Sequence, residues 1–212
     1  EWFLTGCLPL NGLKTLDPDV ARVLATYRKG SLILNGLTTL DAATAKALAE
    51  FESDYLILDG LTALNGDTAN ALAGFKGKGL LLNGLTILDA DAAKALAGFQ
   101  RYQLFIEGLT ALDADTAKAL AEFKGRFLHL NGLTTLDAPT ARALAEFKEG
   151  AVLTLDGLTT LDAPTARALA EFKEGAVLTL DGLTTLNADA AKALAEYKGQ
   201  YLFLDGLTTL DA

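Results

Sequence analysis

The stretch GLTTLDAPTARALAEFKEGAVLTLD runs from Gly132 to Asp156, and the same 25 residues follow, letter for letter, from Gly157 to Asp181. A tandem copy of this length makes internal repetition the first property to test, because a missed period misassigns the whole fold. The Gly-Leu pair at its head recurs with Gly at 12, 36, 60, 84, 108, 132, 157, 182 and 206. The period is 24 residues and lengthens to 25 only where Glu149 and Glu174 are inserted. An idealised unit, LxLNGLTxLDAxTAKALAEFKGxx, covers the chain.

Each part of the unit carries a local signal. The LxL pair, as in Leu128-His129-Leu130, alternates like a short strand. Asn or Asp followed by Gly predicts a corner, with Gly free to take a positive φ. After LTxL comes Asp or Asn at 17, 41, 65, 89, 113, 137, 162, 187 and 211, each placed to cap a helix. Pro18 falls at the first helical position, and Pro139 and Pro164 at the second, where no backbone donor is needed. From Ala114 to Lys124 the pattern predicts a helix, with Thr116, Ala119, Leu120 and Phe123 on one face and Gly125 as its stop. Ala117 and Ala121 are small enough for successive helices to pack closely.

One 24-residue unit buries too little apolar surface to offset the entropy of ordering it. Stacking removes that deficit, because each unit covers the open edge of the last and the LxL strands can pair as one parallel sheet. With strands about 4.8 Å apart, nine of them form a ribbon on the order of 40 Å long. The expected fold is therefore an α/β solenoid with one strand and one helix per 24–25-residue repeat. It is read as a single unit, 1–212, of about eight repeats plus partial ends, cut from a longer array.

The LxLxxL…L pattern on this period resembles the leucine-rich repeat, and most closely its bacterial-type variants reading GLTxLxxxxAxALAxF. The resemblance covers the whole chain and implies a solenoid that binds protein or other macromolecular ligands on its sheet face. One departure is plain: the slot of the family's buried Asn holds Leu, as at Leu133 and Leu207. Without that ladder the curvature is open, and a second short strand at LTxL fits the pattern.

Composition narrows the function. Half of the residues are apolar, enough for a sizeable core. A formal charge of -9, with Lys and Arg spread evenly along the chain, argues against nucleic acid. No apolar run is long enough for a membrane span, and the N-terminus has no signal-like region. Cys7 is the only cysteine, so no intrachain disulfide is possible and the compartment stays open, a secreted or cell-surface setting included. His129, the only histidine, has no designated nucleophile or orienting group, and no phosphate loop or metal-spaced His/Cys set occurs. No enzyme chemistry and no cofactor are expected.

Within one chain, invariant columns build the core and variable ones face outward. The x of LxL runs Pro9, Ile33, Ile57, Leu81, Phe105, His129, Thr154, Thr179 and Phe203. Two residues earlier stand Cys7, Ser31, Tyr55, Gly79, Gln103, Phe127, Val152, Val177 and Tyr201. Both columns should lie on the sheet face, exposing Tyr55, Ile57, Leu81, Phe105, Phe127, His129, Tyr201 and Phe203 as ligand-contact candidates. The rival is a structural or engineered scaffold with no dedicated ligand, since identical copies also arise by consensus design. Two smaller alternatives are an ice-binding Thr ladder at 38, 62, 86, 110, 134, 159, 184 and 208, and a divalent cation on Asp156, Asp181 and Asp205. Solvated turn residues are the plainer reading of that Asp column.

Both ends cut through a repeat: Phe3 is in the register of Phe123, and the chain stops at Asp211-Ala212, where another helix would begin. Pro9 and Lys14 mark an adapted first repeat, with Pro9 discouraging edge pairing. The last repeat has no such feature, so either a longer array or end-to-end self-association through it is expected.

Overall fold

A computed structural model describes residues 6–211, so the register of Phe3 lies outside the described residues. Strand and helix alternate along the chain. The strands are β1 Leu8–Pro9, β2 Leu32–Ile33, β3 Tyr55–Ile57, β4 Gly79–Leu81, β5 Gln103–Phe105, β6 Phe127–His129, β7 Val152–Thr154, β8 Val177–Thr179, β9 Thr185–Asn187, β10 Tyr201–Phe203 and β11 Thr209–Asp211. The helices are α1 Pro18–Leu24, α2 Ala42–Ala49, α3 Gly66–Ala73, α4 Ala90–Ala97, α5 Ala114–Ala121, α6 Ala138–Leu144, α7 Ala163–Ala170 and α8 Ala188–Leu194. One nine-stranded parallel sheet, in the order β1 to β8 then β10, runs the length of the stack.

Register follows the Leu column. Leu8, Leu32, Leu56, Leu80, Leu104, Leu128, Leu153, Leu178 and Leu202 are paired in turn across the sheet. From Leu32 to Leu178 every one of these is fully buried, so the residues on either side of each point to the opposite face. The Leu133 slot is buried too, and the columns of Leu130 and Leu120 complete the aliphatic core.

The helices are shorter than their periodicity predicts. α5 ends at Ala121, and Phe123 follows the C-cap residue Glu122 instead of lying inside the helix. The Phe123 amide still donates to the Leu120 carbonyl at 3.0 Å, and the turn drives its ring into the core. Phe51, Phe75 and Phe99 stack there with ring centroids 6.0 and 6.2 Å apart, and Phe123 and Phe147 at 6.4 Å. That spacing exceeds the roughly 4.8 Å between paired strands. Each repeat is therefore a wedge, wider at its Phe, and the sheet takes the concave side.

Three hydrogen-bond series order the wedges, the first within each repeat and the other two between repeats. Caps form as expected, Asp113 Oδ1 accepting the Thr116 amide at 2.8 Å and Asp41 Oδ1 that of Thr44 at 2.7 Å. The Thr44 amide holds the Asp41 carboxyl below its ordinary range. In the second ladder the buried Thr hydroxyls donate to the preceding repeat, as Thr44 to Leu16 O at 3.2 Å and Thr140 to Leu112 O at 3.3 Å. The third replaces the missing core Asn and lies at the corner. Asn11 Oδ1 accepts from Asn35 N, Asn35 from Asp59 N, Asp59 from Asn83 N and Asn83 from Glu107 N, at 2.9–3.2 Å. It resumes from Asn131 through Asp156 and Asp181 to Asp205. These are coupling groups between repeats, which corrects their reading as solvated turn residues.

The corner glycines are also needed for a reason other than the expected one. None has a positive φ; positive φ among the described glycines falls at Gly6, Gly30, Gly150 and Gly175. A Cβ at Gly36 would instead lie 2.2 Å from Asn11 O and 2.3 Å from Leu13 O. Likewise Gly125 is no helix stop: a Cβ there would meet the Phe123 ring at 2.3 Å. The inserted Glu149 and Glu174 are each followed by a left-handed Gly, at φ 73° and 82°, which absorbs the extra residue.

A second strand at LTxL forms only between β9 and β11. Elsewhere single bonds such as Thr86 N to Thr62 O, at 3.1 Å, mark the same path. At the other end Leu8 and Leu10 donate to Ser31 and Ile33 at 2.8 Å, so the nitrogen of Pro9 faces away from β2, at the edge.

Candidate functional site

Parallel strands in register bring each outward column into a row about 4.8 Å apart, so aromatic neighbours in a column must stack. Phe105 on β5 and His129 on β6 do so, with centroids 4.0 Å apart and planes within 5°. Phe127, two residues before His129, lies 6.2 Å from it with planes within 7°. The ring nitrogen Nδ1 of His129 shares a 3.1 Å hydrogen bond with Thr154 Oγ1, the next residue in its column. Its Nε2 is buried and has no hydrogen-bond partner. Burial lowers the pKa of His129 to about 4, against the opposing pull of the Asp156 carboxylate.

Tyr55 is half-buried, and its ring lies over Gly79, where a Cβ would come within 2.5 Å of it. The absent side chain at Gly79 lets the Tyr55 hydroxyl reach two strands along, 2.9 Å from Gln103 Oε1. Leu81, Phe105, Phe127 and His129 are likewise half-buried, each partly covered by its neighbours. Ile57 is a correction: at 8% exposure it is buried and presents little surface. Tyr201 and Phe203, 57% and 42% exposed, form a separate pair on β10, far along the sheet from the others.

Three residues join the site that the two columns do not contain. Tyr102 is 47% exposed, with its ring centroid 5.0 Å from Phe127. The Arg126 guanidinium lies 5.8 Å from the Tyr102 ring and 5.5 Å from that of Phe127, within cation–π range. Arg101 lines an adjoining groove of about 440 Å³ with Tyr102, Lys76, Lys78, Arg28, Glu52 and Asp54. The signal for Arg101 and Tyr102 lay in QRY at 100–102, where the unit reads KGx, whereas Arg126 is only the variable x of KGR at 124–126.

Charge is not spread evenly once the chain is stacked. In the three residues after the Phe or Tyr of each repeat, 28–30 through 198–200, stand ten bases and four acids. The N-terminal lip of the sheet face is thus basic on a chain of net charge -9. The C-terminal lip is the Asn/Asp corner, where burial pushes the Asp59 carboxyl up against the Asn83 amide bond. There Asp156 Oδ1 accepts from Asp181 N at 3.0 Å and Thr179 Oγ1 at 2.8 Å. Among the described residues no group of three His, Cys, Asp or Glu is placed to hold a metal ion. The eight positions of the Thr column are all exposed, on a different side from the aromatics. No described helix is long and apolar enough to cross a membrane.

The chain matches no family model and no curated protein in sequence. Among solved structures it is similar to a chain of the Toll–Spatzle complex of Drosophila, with TM-score 0.60 and 13% identity over 96% of this chain and 27% of that one. It is also similar to a chain of the TLR13–ssRNA13 complex, with TM-score 0.51 and 20% identity over 96% of this chain and 32% of that one. An internalin from Listeria monocytogenes superposes at 0.40 with 14% identity, over 94% and 71%. The fold is that of leucine-rich-repeat solenoids. This chain spans about a third or less of the length of the first two of these structures.

Proposed function

We propose that this leucine-rich-repeat-like solenoid is a non-catalytic module that binds a protein or other macromolecular ligand on the concave sheet face over β3 to β6. The observation that carries the reading is the stack of Phe105, His129 and Phe127 beside exposed Tyr102. The same columns hold only Val152, Thr154, Val177 and Thr179 in the two identical copies. Rings on an open concave face supply large contact area at a small cost in side-chain entropy. A protein partner is preferred to nucleic acid on the net charge of -9 alone. The RNA complex among the matched folds removes any support from the comparisons for that preference.

The test compares proteins retained by the immobilised wild type and by a Phe105→Ser/Phe127→Ser variant whose fold is checked by circular dichroism. Partners retained by the first and lost from the second support the reading. Identical retained sets would leave the rival standing: a scaffold without a ligand, favoured by the letter-for-letter repeat at 132–156 and 157–181.

A further inference from the structure

We propose that Arg101 and Arg126, on the basic lip beside β5 and β6, receive carboxylate side chains from an acidic, apolar-bearing peptide segment of a protein partner. The inference rests on the reading of the sheet face as the ligand site and names the chemistry of what lies there.

Pairing takes up five of the ten bases on this lip and leaves Lys29, Arg101, Lys124, Arg126 and Lys148 without a carboxylate partner among the described residues. Lys78 is held by Asp54 at 2.6 Å, Lys173 by Glu146 at 2.8 Å and Arg28 by Glu52 at 3.7 Å, while Lys76 and Lys198 contact Glu50 and Glu171. Among the described residues Arg101 and Arg126 have no carboxylate within 4.0 Å, and both are exposed. Arg101 is also close enough to Lys76 to oppose the upward pull of Glu50 on that ammonium. Arg126 lies over the Tyr102 and Phe127 rings. That contact orients the guanidinium and leaves its N–H edges free for the two-point bond a carboxylate accepts.

Position supplies the second argument. Arg101 and Arg126 lie just before β5 and β6, the strands that carry the aromatic stack. In the identical copies the lip instead carries Lys148-Glu149 and Lys173-Glu174, and the rings are gone. A partner segment with an apolar side chain against Phe105 and Phe127 would place flanking carboxylates at Arg126 and Arg101. A continuous polyphosphate fits less well. Glu52 and Asp54 share the groove with Arg101, and Asp59, Glu107 and Asp156 occupy the opposite lip.

The test is selection of a random dodecapeptide display library on the folded protein, followed by fluorescence anisotropy of the enriched peptides. Enriched sequences should combine Asp or Glu with aromatic or aliphatic residues. Their affinity should fall about tenfold or more on Arg101→Gln/Arg126→Gln, and should fall with added salt. Two further arms use the Phe105→Ser/Phe127→Ser variant and a short oligouridylate. Peptides without acids that are lost only on the Phe variant would overturn the acidic-partner inference and leave the sheet-face reading intact. Peptides insensitive to both variants would overturn both. Oligouridylate binding more tightly than any selected peptide, and lost with the arginines, would overturn the inference in favour of RNA.

Discussion

Because His129 is the only histidine of the chain, its titration can be followed without interference from a second imidazole. Burial against Phe105 brings its pKa from 6.5 to about 4, so the folded protein binds this proton less readily than the unfolded chain does. The corresponding stability is fully present above the unfolded value near 6.5 and is lost as pH falls toward the folded value of about 4. At about 1.4 kcal/mol per unit the shift sets a ceiling of roughly 3 kcal/mol. The ring is only partly buried, and solvent screening brings the expected effect to on the order of 1 to 2 kcal/mol. The assay is urea unfolding between pH 7 and pH 4 for the wild type and for His129→Thr, which installs the residue of the next two repeats. Carboxylates titrate in both proteins, so the signal is the difference between the two pH slopes. Proton NMR of the imidazole gives the folded pKa directly. A midpoint near 6.5, or equal slopes in the two proteins, would refute the reasoning.

Four further outcomes follow from the packing and the caps. Phe123→Ala opens a cavity in the buried ring column and should lower unfolding stability by about 3 to 5 kcal/mol in urea. Gly36→Ala forces a Cβ onto the Asn11 and Leu13 carbonyls and should cost about 1 to 3 kcal/mol. Gly12→Ala, with nothing within 4 Å of the added carbon, should leave the thermal midpoint nearly unchanged. Asn65→Ala removes the cap on the Thr68 amide, 2.8 Å away, and should lower stability by about 1 kcal/mol, with faster amide exchange confined to α3.

The architecture was legible wherever one residue answers to one local rule. The Leu column set the strand register, and the Asp column marked the start of each helix. What escaped depends on contact between repeats. Gly36 reads as a turn glycine until the carbonyl of Asn11 is seen against it. The Asn/Asp corner reads as solvated because the backbone amide that donates to each side-chain oxygen is 24 or 25 residues away. The outward columns flank the buried Leu column, yet Ser31, Ile57 and Thr154 within them are buried by neighbours that the alternation of a single strand does not describe. Tyr102 and Arg126 stood outside those columns and were missed. The charge lip was missed because Lys and Arg are even along the chain, while a 24-residue period gathers those of equal phase onto one line.

The corner ladder has one irregular rung. At Glu107 the longer side chain does not reach the next backbone amide, and Asn131 Nδ2 instead donates to Glu107 Oε1 at 2.9 Å. That rung ends β5 and β6, the strands of Phe105 and His129. A ligand reading only the copied columns would meet the same surface at every step of about 4.8 Å and could settle in many equivalent alignments. One place where rings, arginines and corner all depart from the pattern gives a repetitive track a single address. On the proposed reading it would define where a ligand begins and in which direction it runs.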